Sequence, residues 1–278
     1  LGGHYLSIAL LFNNVCFFVA LVYVYRYARL VGADRAAALL AVTLLCVLPQ
    51  SIAFSAALTE SLFLLLLAMA MYHLRREQFL IAGIAAALLS ATRANGILFV
   101  FFALVWIVRN GGLRAFIAPW RHPELFVPVV LAPLGVFAFW AYCLVATGDA
   151  FAHPSTELYG WGWRFAAPWE NLPAMMQTKG RIGEAAILSI GVFCCSFVLL
   201  RQRLYEEFAV CAALILLMWS SEGNVSVFRY MLVLFPIWIG VARVLAPRPL
   251  VCAAALAAIG MINGLMMCAW TLGNDLAL

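Results

Sequence analysis

Charge is what this sequence has least of. Only 10% of its 278 residues are Asp, Glu, Lys or Arg, 67% are hydrophobic, and the mean hydropathy is +1.03. A soluble domain carries about a quarter charged residues. Seventeen basic and twelve acidic side chains cannot cover a water-facing surface of this size, so the chain reads as an integral membrane protein. Lysine is nearly missing, with Lys179 alone against sixteen arginines. There is no long basic run, so the net charge of +5 calls for a membrane explanation and not for a nucleic-acid partner. No CxxC pair occurs among the eight cysteines, all of which fall in apolar stretches, so neither a disulfide framework nor a zinc site is indicated. The histidines His4, His73, His122 and His153 are equally scattered, and no metal site is expected. Walker, GxGxxG, GxSxG and HExxH motifs are all missing, which argues against a cytoplasmic nucleotide enzyme and implies no cofactor.

What the sequence has is apolar runs. They cover 5–27, 35–57, 60–74, 79–92, 95–108, 124–147, 184–200, 206–221, 230–246 and 250–271. A membrane-spanning helix needs about 20 apolar residues. The expectation is a polytopic all-α protein of about ten transmembrane helices, forming one transmembrane domain over 1–278. Several runs are short, and Pro49 breaks the second, so some helices tilt or enter the membrane part way. The fourth run is rich in small residues (Ala82, Gly83, Ala85, Ala86, Ala87), which suits close helix packing. Arginine placement sets the orientation. With the N-terminus outside, the inner loops collect 12 of the 17 basic residues, among them Arg26, Arg29, Arg75, Arg76, Arg109 and Arg243. Arg93, Arg164, Lys179, Arg181 and Arg229 remain outside, as the positive-inside rule requires.

The outer side carries one long segment, 148–183, read as a loop. Loops of this length in compact proteins are commonly functional, so a site facing outward is expected. The outer arginines stand where the topology rule depletes them. Arg93 lies in Ser90-Ala-Thr-Arg-Ala-Asn-Gly96, and Arg229 opens the run RYMLVLFPIW. Charges at membrane depth are costly and are paired or functional, and a guanidinium matches phosphate oxygens bidentately. Arg93 and Arg229 are therefore candidates to hold a lipid-linked phosphate, or else anchor helix ends at the headgroups. Glu60, after the candidate N-cap Thr59, suits a helix start and is equally a candidate catalytic carboxylate. Asp149 is a turn residue or a substrate contact, and His153 a general base or a bystander. Trp161, Trp163 and Trp169 suit sugar stacking, and an interfacial aromatic belt as well.

Taken in order, these residues resemble a known family. The marks are Thr59-Glu-Ser-Leu-Phe63, Thr92-Arg93-Ala-Asn-Gly96, Gly148-Asp-Ala-Phe-Ala-His153, Gly160-Trp-Gly-Trp-Arg164, Pro168-Trp169, Phe228-Arg-Tyr230 and Phe235-Pro236. Their order and spacing, from near residue 1 to about 245, resemble the PIG-V-type mannosyltransferases (GPI mannosyltransferase 2) and their bacterial relatives, of the GT-C class of polytopic glycosyltransferases. The loop wording is closer to the bacterial branch. The resemblance implies transfer of a sugar, typically mannose, from a polyprenyl-phosphate donor to a lipid-linked acceptor on the outer (periplasmic or lumenal) face. The membrane would be a bacterial inner membrane, or the endoplasmic reticulum in a eukaryote. It also implies that Glu60, Arg93, Arg229 and Tyr230 fall at or near the site, with Asp149, Trp161 and Arg164 as further substrate contacts.

One departure stands out. The family's acidic His-Trp-Asp motif in the first outer loop has no counterpart, and no Trp-Asp pair occurs anywhere. The chain begins at Leu1 and not at Met, so it is read as lacking its N-terminal part, with the catalytic aspartate upstream and no activity expected of this segment alone. Two other readings remain open. A transporter or flippase of lipid-linked saccharide would grip the same phosphate, although no internal repeat is visible. A non-catalytic GT-C-like subunit would keep the fold without the catalytic loop.

Overall fold

The computed structural model describes residues 2–178, 180–222 and 227–272. In chain order the helices are α1 (Gly2–Leu30), α2 (Arg35–Val47), α3 (Glu60–Arg75), α4 (Phe79–Thr92), α5 (Phe99–Ile117), α6 (Pro123–Leu131) and α7 (Leu134–Thr147). They continue with α8 (Ala152–Trp161), α9 (Pro168–Gln177), α10 (Arg181–Arg201), α11 (Tyr205–Trp219), α12 (Val227–Leu232), α13 (Phe235–Leu245) and α14 (Pro249–Thr271). Each predicted apolar run holds at least one helix, and the fold is nearly all-α.

Two expectations change. Among the described residues, five helices rather than about ten are long and apolar enough to cross a membrane: His4–Leu30, Ala94–Ile117, Pro123–Thr147, Ile182–Arg201 and Pro249–Thr271. α2, α4 and α13 are apolar but shorter. The reason is local for α2. It stops at Val47, ahead of Pro49, and Gln50 then takes a left-handed φ of 66°, turning the chain into a 3-10 turn at Ser51–Phe54. The residue before a proline disfavours helix. The second change is that 148–183 is not a plain loop. Most of it folds into α8, α9 and the short strand β1 (Arg164–Phe165), which pairs antiparallel with β2 (Ser221–Glu222), placing Arg164 opposite Glu222.

Packing centres on α3, whose Phe63, Leu64, Leu67, Met71 and Leu74 are fully buried. α1 runs beside it in the same direction. Asn13 donates to the Ala56 carbonyl near the start of α3, and Tyr23 meets His73 Nε2 at 3.2 Å near its end. The small residues of α4 do what small residues do in membranes, admitting neighbours closely. Gly83 faces Leu131 and Val127 of α6, and Gly135 of α7 lies so near α4 that a Cβ there would sit 1.9 Å from the Ala87 carbonyl oxygen. Ser90 closes the same contact by donating to the Ala132 carbonyl.

At the C-terminal end of α3 sits a buried ion network. Arg75 Nη2 reaches Glu207 Oε1 at 2.6 Å and Glu206 Oε2 at 3.3 Å, and Arg109 Nη1 reaches Glu206 Oε2 at 2.6 Å. Tyr27 donates to the same Glu207 oxygen. Both glutamates are 1% exposed, and two guanidiniums balance their two charges. One residue from α1, one from α3, one from α5 and two from α11 are thereby tied together.

Two stability predictions follow from these contacts. Glu207→Ala leaves Arg75 and Arg109 to share Glu206 alone, one positive charge in excess, and should cost about 3–5 kcal/mol, read as a lowered melting temperature in detergent. Gly135→Ala should cost about 1–3 kcal/mol by overpacking against α4. An unchanged midpoint in either variant contradicts the corresponding contact.

Candidate functional site

The other end of α3 holds a second ion cluster, in which two arginines meet one glutamate among the described residues. Glu60 is the first residue of α3, where a carboxylate suits the positive end of the helix dipole. Its placement follows from the turn before it: after the 3-10 turn the chain is held by Ser61, whose hydroxyl donates to the Phe54 carbonyl. Arg93 enters from the end of α4. It is extended (φ −151°, ψ 134°) between α4 and the 3-10 turn Ala94–Leu98, so its side chain leaves the helix sideways. Gly96 makes that tight link possible, because a Cβ there would lie 2.6 Å from the Leu89 carbonyl oxygen. Arg229 and Tyr230 enter from α12, which packs against α10, α11 and the Ser51–Phe54 turn.

Arg93 Nη2 donates to Glu60 Oε1 at 2.6 Å, and Arg229 Nε approaches the same oxygen at 2.8 Å. Glu60 is fully buried, while Arg93 and Arg229 are 17% and 16% exposed. The Tyr230 ring lies 4.8 Å from the Arg93 guanidinium carbon and 5.8 Å from that of Arg229, within cation–π range of both. Two guanidiniums thus share one carboxylate oxygen, so that among these described residues two positive charges meet one negative charge. Glu60 Oε2 is buried with no hydrogen-bond partner among the described residues. Thr59 departs from its expected role. Its side chain does not cap α3, and its hydroxyl accepts from Arg93 Nε at 2.7 Å instead. An arginine donor outcompetes a backbone N–H for that oxygen because its bond is charge-assisted.

The structure brings four of the candidate residues together: Glu60, Arg93, Arg229 and Tyr230. The others lie apart from them. Asp149 Oδ1 accepts from Phe151 N at 2.8 Å, the turn geometry its position suggested. His153 is 56% exposed, with Glu157 Oε1 3.8 Å from its Nε2 and Phe139 of α7 against its ring. Arg164 is exposed on β1. No hydrogen bond or ion pair joins these three to Glu60, Arg93 or Arg229 among the described residues. Trp161 ends α8, but its side chain lies outside the described residues, as do Lys179 and Asp275. Trp169 is 76% exposed, the exposure of a belt residue, and Trp163 is half-buried.

Sequence reasoning missed three buried polar features. Gln50 is 1% exposed with neither amide atom partnered, and Asn95 Oδ1, two residues from Arg93, is likewise buried and unpartnered among the described residues. The third is the Glu206–Glu207 pair. Its signal was present, since two adjacent acids heading an apolar helix need a partner. Nothing in the sequence distinguished Gln50 or Asn95 from ordinary turn residues.

Among the described residues no group of three or more His, Cys, Asp or Glu side chains could hold a metal ion. No curated protein and no solved structure is matched by this chain. A family model does match, described as Mannosyltransferase (PIG-V), over residues 3–133, the segment that contributes Glu60 and Arg93 to the cluster. The resemblance to the PIG-V-type mannosyltransferases is thus borne out over that segment, a little under half of the chain, and five helices among the described residues are long and apolar enough to cross a membrane.

Proposed function

We propose that this chain forms the donor-phosphate end of a mannosyltransferase that takes mannose from a polyprenyl-phosphate carrier and passes it to a lipid-linked acceptor on the outer face of the membrane. The observation that carries the reading is the convergence of two mostly buried guanidiniums on one oxygen of a buried carboxylate. In the transfer, an acceptor hydroxyl attacks the anomeric carbon and the bond from that carbon to the phosphate oxygen breaks. The oxygen leaving with the lipid phosphate gains negative charge. Fixed cations aimed at that oxygen stabilise the transition state without reorganising, and Arg93 and Arg229 are such cations. Tyr230 limits their swing by stacking against both.

Glu60 takes a different role from the one first open to it. A base for the acceptor hydroxyl must reach the substrate, whereas Glu60 is fully buried beneath both arginines. We assign it as the positioning residue that sets the guanidinium geometry and lowers the cost of burying two like charges. The carboxylate that activates the acceptor is expected from the family's acidic outer loop. The family match favours this reading over a carrier of lipid-linked saccharide, which would use the same phosphate grip.

Transfer of labelled mannose from a polyprenyl-phosphate donor, measured with the natively encoded protein in membranes, tests the reading. Arg229→Ala should weaken donor use by roughly 10- to 100-fold with expression and insertion intact. Glu60→Gln keeps the shape of the side chain but leaves two guanidiniums without a counter-charge, so donor KM should rise as well. Unchanged donor dependence in Arg229→Ala would make Arg229 an anchor only, and full activity in Glu60→Gln would remove it from the site. Lipid movement across liposomes without any transfer would favour the carrier.

A further inference from the structure

A second cationic site lies at the opposite end of the bundle. A groove of about 420 Å³ is lined by Tyr25, Arg26, Arg29, Leu30 and Tyr72, where the last turns of α1 meet the end of α3. Tyr72 carries a third arginine: Arg76 Nη1 donates to its hydroxyl at 3.2 Å, and the guanidinium carbon lies 5.9 Å from the ring centre. Arg26, Arg29 and Arg76 are all exposed. Among the described residues the one side-chain hydrogen bond of Arg26 or Arg29 is local, from Arg29 Nη1 to the Ala33 carbonyl at 2.8 Å. Among the described residues none of the three arginines is paired with a carboxylate. The contrast with the adjacent Arg75, bound to two glutamates, is plain.

The surface leading to this groove is apolar and ordered by the helix. Leu11, Val15, Phe18 and Val22 are 67%, 53%, 69% and 37% exposed, and they recur at steps of four, three and four. At 100° per residue that spacing makes one stripe on α1, and the next steps of four and three along it are Arg26 and Arg29. From Leu11 to Val22 the stripe is about 16 Å long, close to the roughly 15 Å hydrocarbon depth of one leaflet. A one-leaflet apolar track that ends in unpaired guanidiniums and tyrosines matches an acyl chain carrying a phosphate headgroup.

We infer that the Arg26–Arg29–Tyr72 groove binds the phosphodiester headgroup of an anionic membrane phospholipid, with an acyl chain lying along the Leu11–Val15–Phe18–Val22 stripe. The site is distinct from the Glu60 cluster. α1 and α3 run in the same direction, and the length of α3, about 22 Å, separates the two. The headgroup would bridge α1 and α3 on the outside of the point where Tyr27 and Arg75 bridge them within.

Native mass spectrometry of the detergent-solubilised chain, titrated with phosphatidylglycerol and with phosphatidylcholine, tests this. The wild type should retain phosphatidylglycerol preferentially, and excess inorganic phosphate should not displace it. R26Q/R29Q should weaken phosphatidylglycerol binding by roughly 10- to 30-fold. R201Q/R248Q, which removes the same charge from exposed positions elsewhere, should leave it within about threefold, well under the effect of two direct contacts. Equal losses in both double variants would reduce the effect to overall charge and overturn the site. So would equal retention of the two lipids, or displacement by inorganic phosphate. If R26Q/R29Q fails to fold, R76Q carries the same comparison within the groove.

Discussion

One carboxylate oxygen organises the candidate site. Glu60 Oε1 receives Arg93 from the end of α4 and Arg229 from α12 at 2.6 and 2.8 Å, and without it two guanidiniums would face each other in a poorly hydrated position. Like charges so close repel strongly at low dielectric, and the arginines would swing apart. The carboxylate holds three segments of the chain in register, yet it neutralises only half of the positive charge it gathers. Two guanidiniums held so close are the geometry that the proposed recognition of a phosphate uses.

The balanced network at the other end of α3 makes the comparison useful, because both are built from arginine and glutamate. There, two arginines meet two glutamates, Tyr27 donates a further hydrogen bond, and the result ties α1, α3, α5 and α11 together. Breaking such a network exposes its worth as a lock on helix positions. The two ends of one 16-residue helix therefore show two uses of the same chemistry, closure at Arg75 and convergence at Glu60. Each cluster also contains only residues that the arginine count assigns to one side of the membrane, which agrees with the expected alternation of the loops between the two ends of the bundle.

Much of this was legible in the sequence, though unevenly. The apolar runs located the helices because hydrophobic length is a direct demand of the bilayer, and the small residues of the fourth run announced close packing. Among the described residues five helices, not about ten, reach a spanning length, because hydropathy does not register where a run is cut, as α2 is ahead of Pro49. The segment 148–183 looked like loop because α8 and α9 are much less apolar than the other helices and each contains a proline. Glu60, Arg93, Arg229 and Tyr230 could be picked out because charges in apolar surroundings are rare. That they meet could not be read, since the first and last lie 170 positions apart and only the packing of α12 against the Ser51–Phe54 turn joins them. Asp149 and His153 stood out because they open the long outer segment; in the structure Asp149 closes a turn with Phe151, and His153 lies beside Glu157 and Phe139.

The central claim is that the Arg93–Arg229 pair recognises the phosphate of a lipid carrier. Equilibrium binding of a short-chain polyprenyl phosphate, set against the neutral polyprenol of the same length in lipid nanodiscs, tests it most directly. The account predicts saturable binding of the phosphate, no comparable binding of the alcohol, and loss of the difference when Arg93 and Arg229 are both replaced by Gln. Equal affinity for the two lipids, or a preference that survives the double replacement, would contradict it.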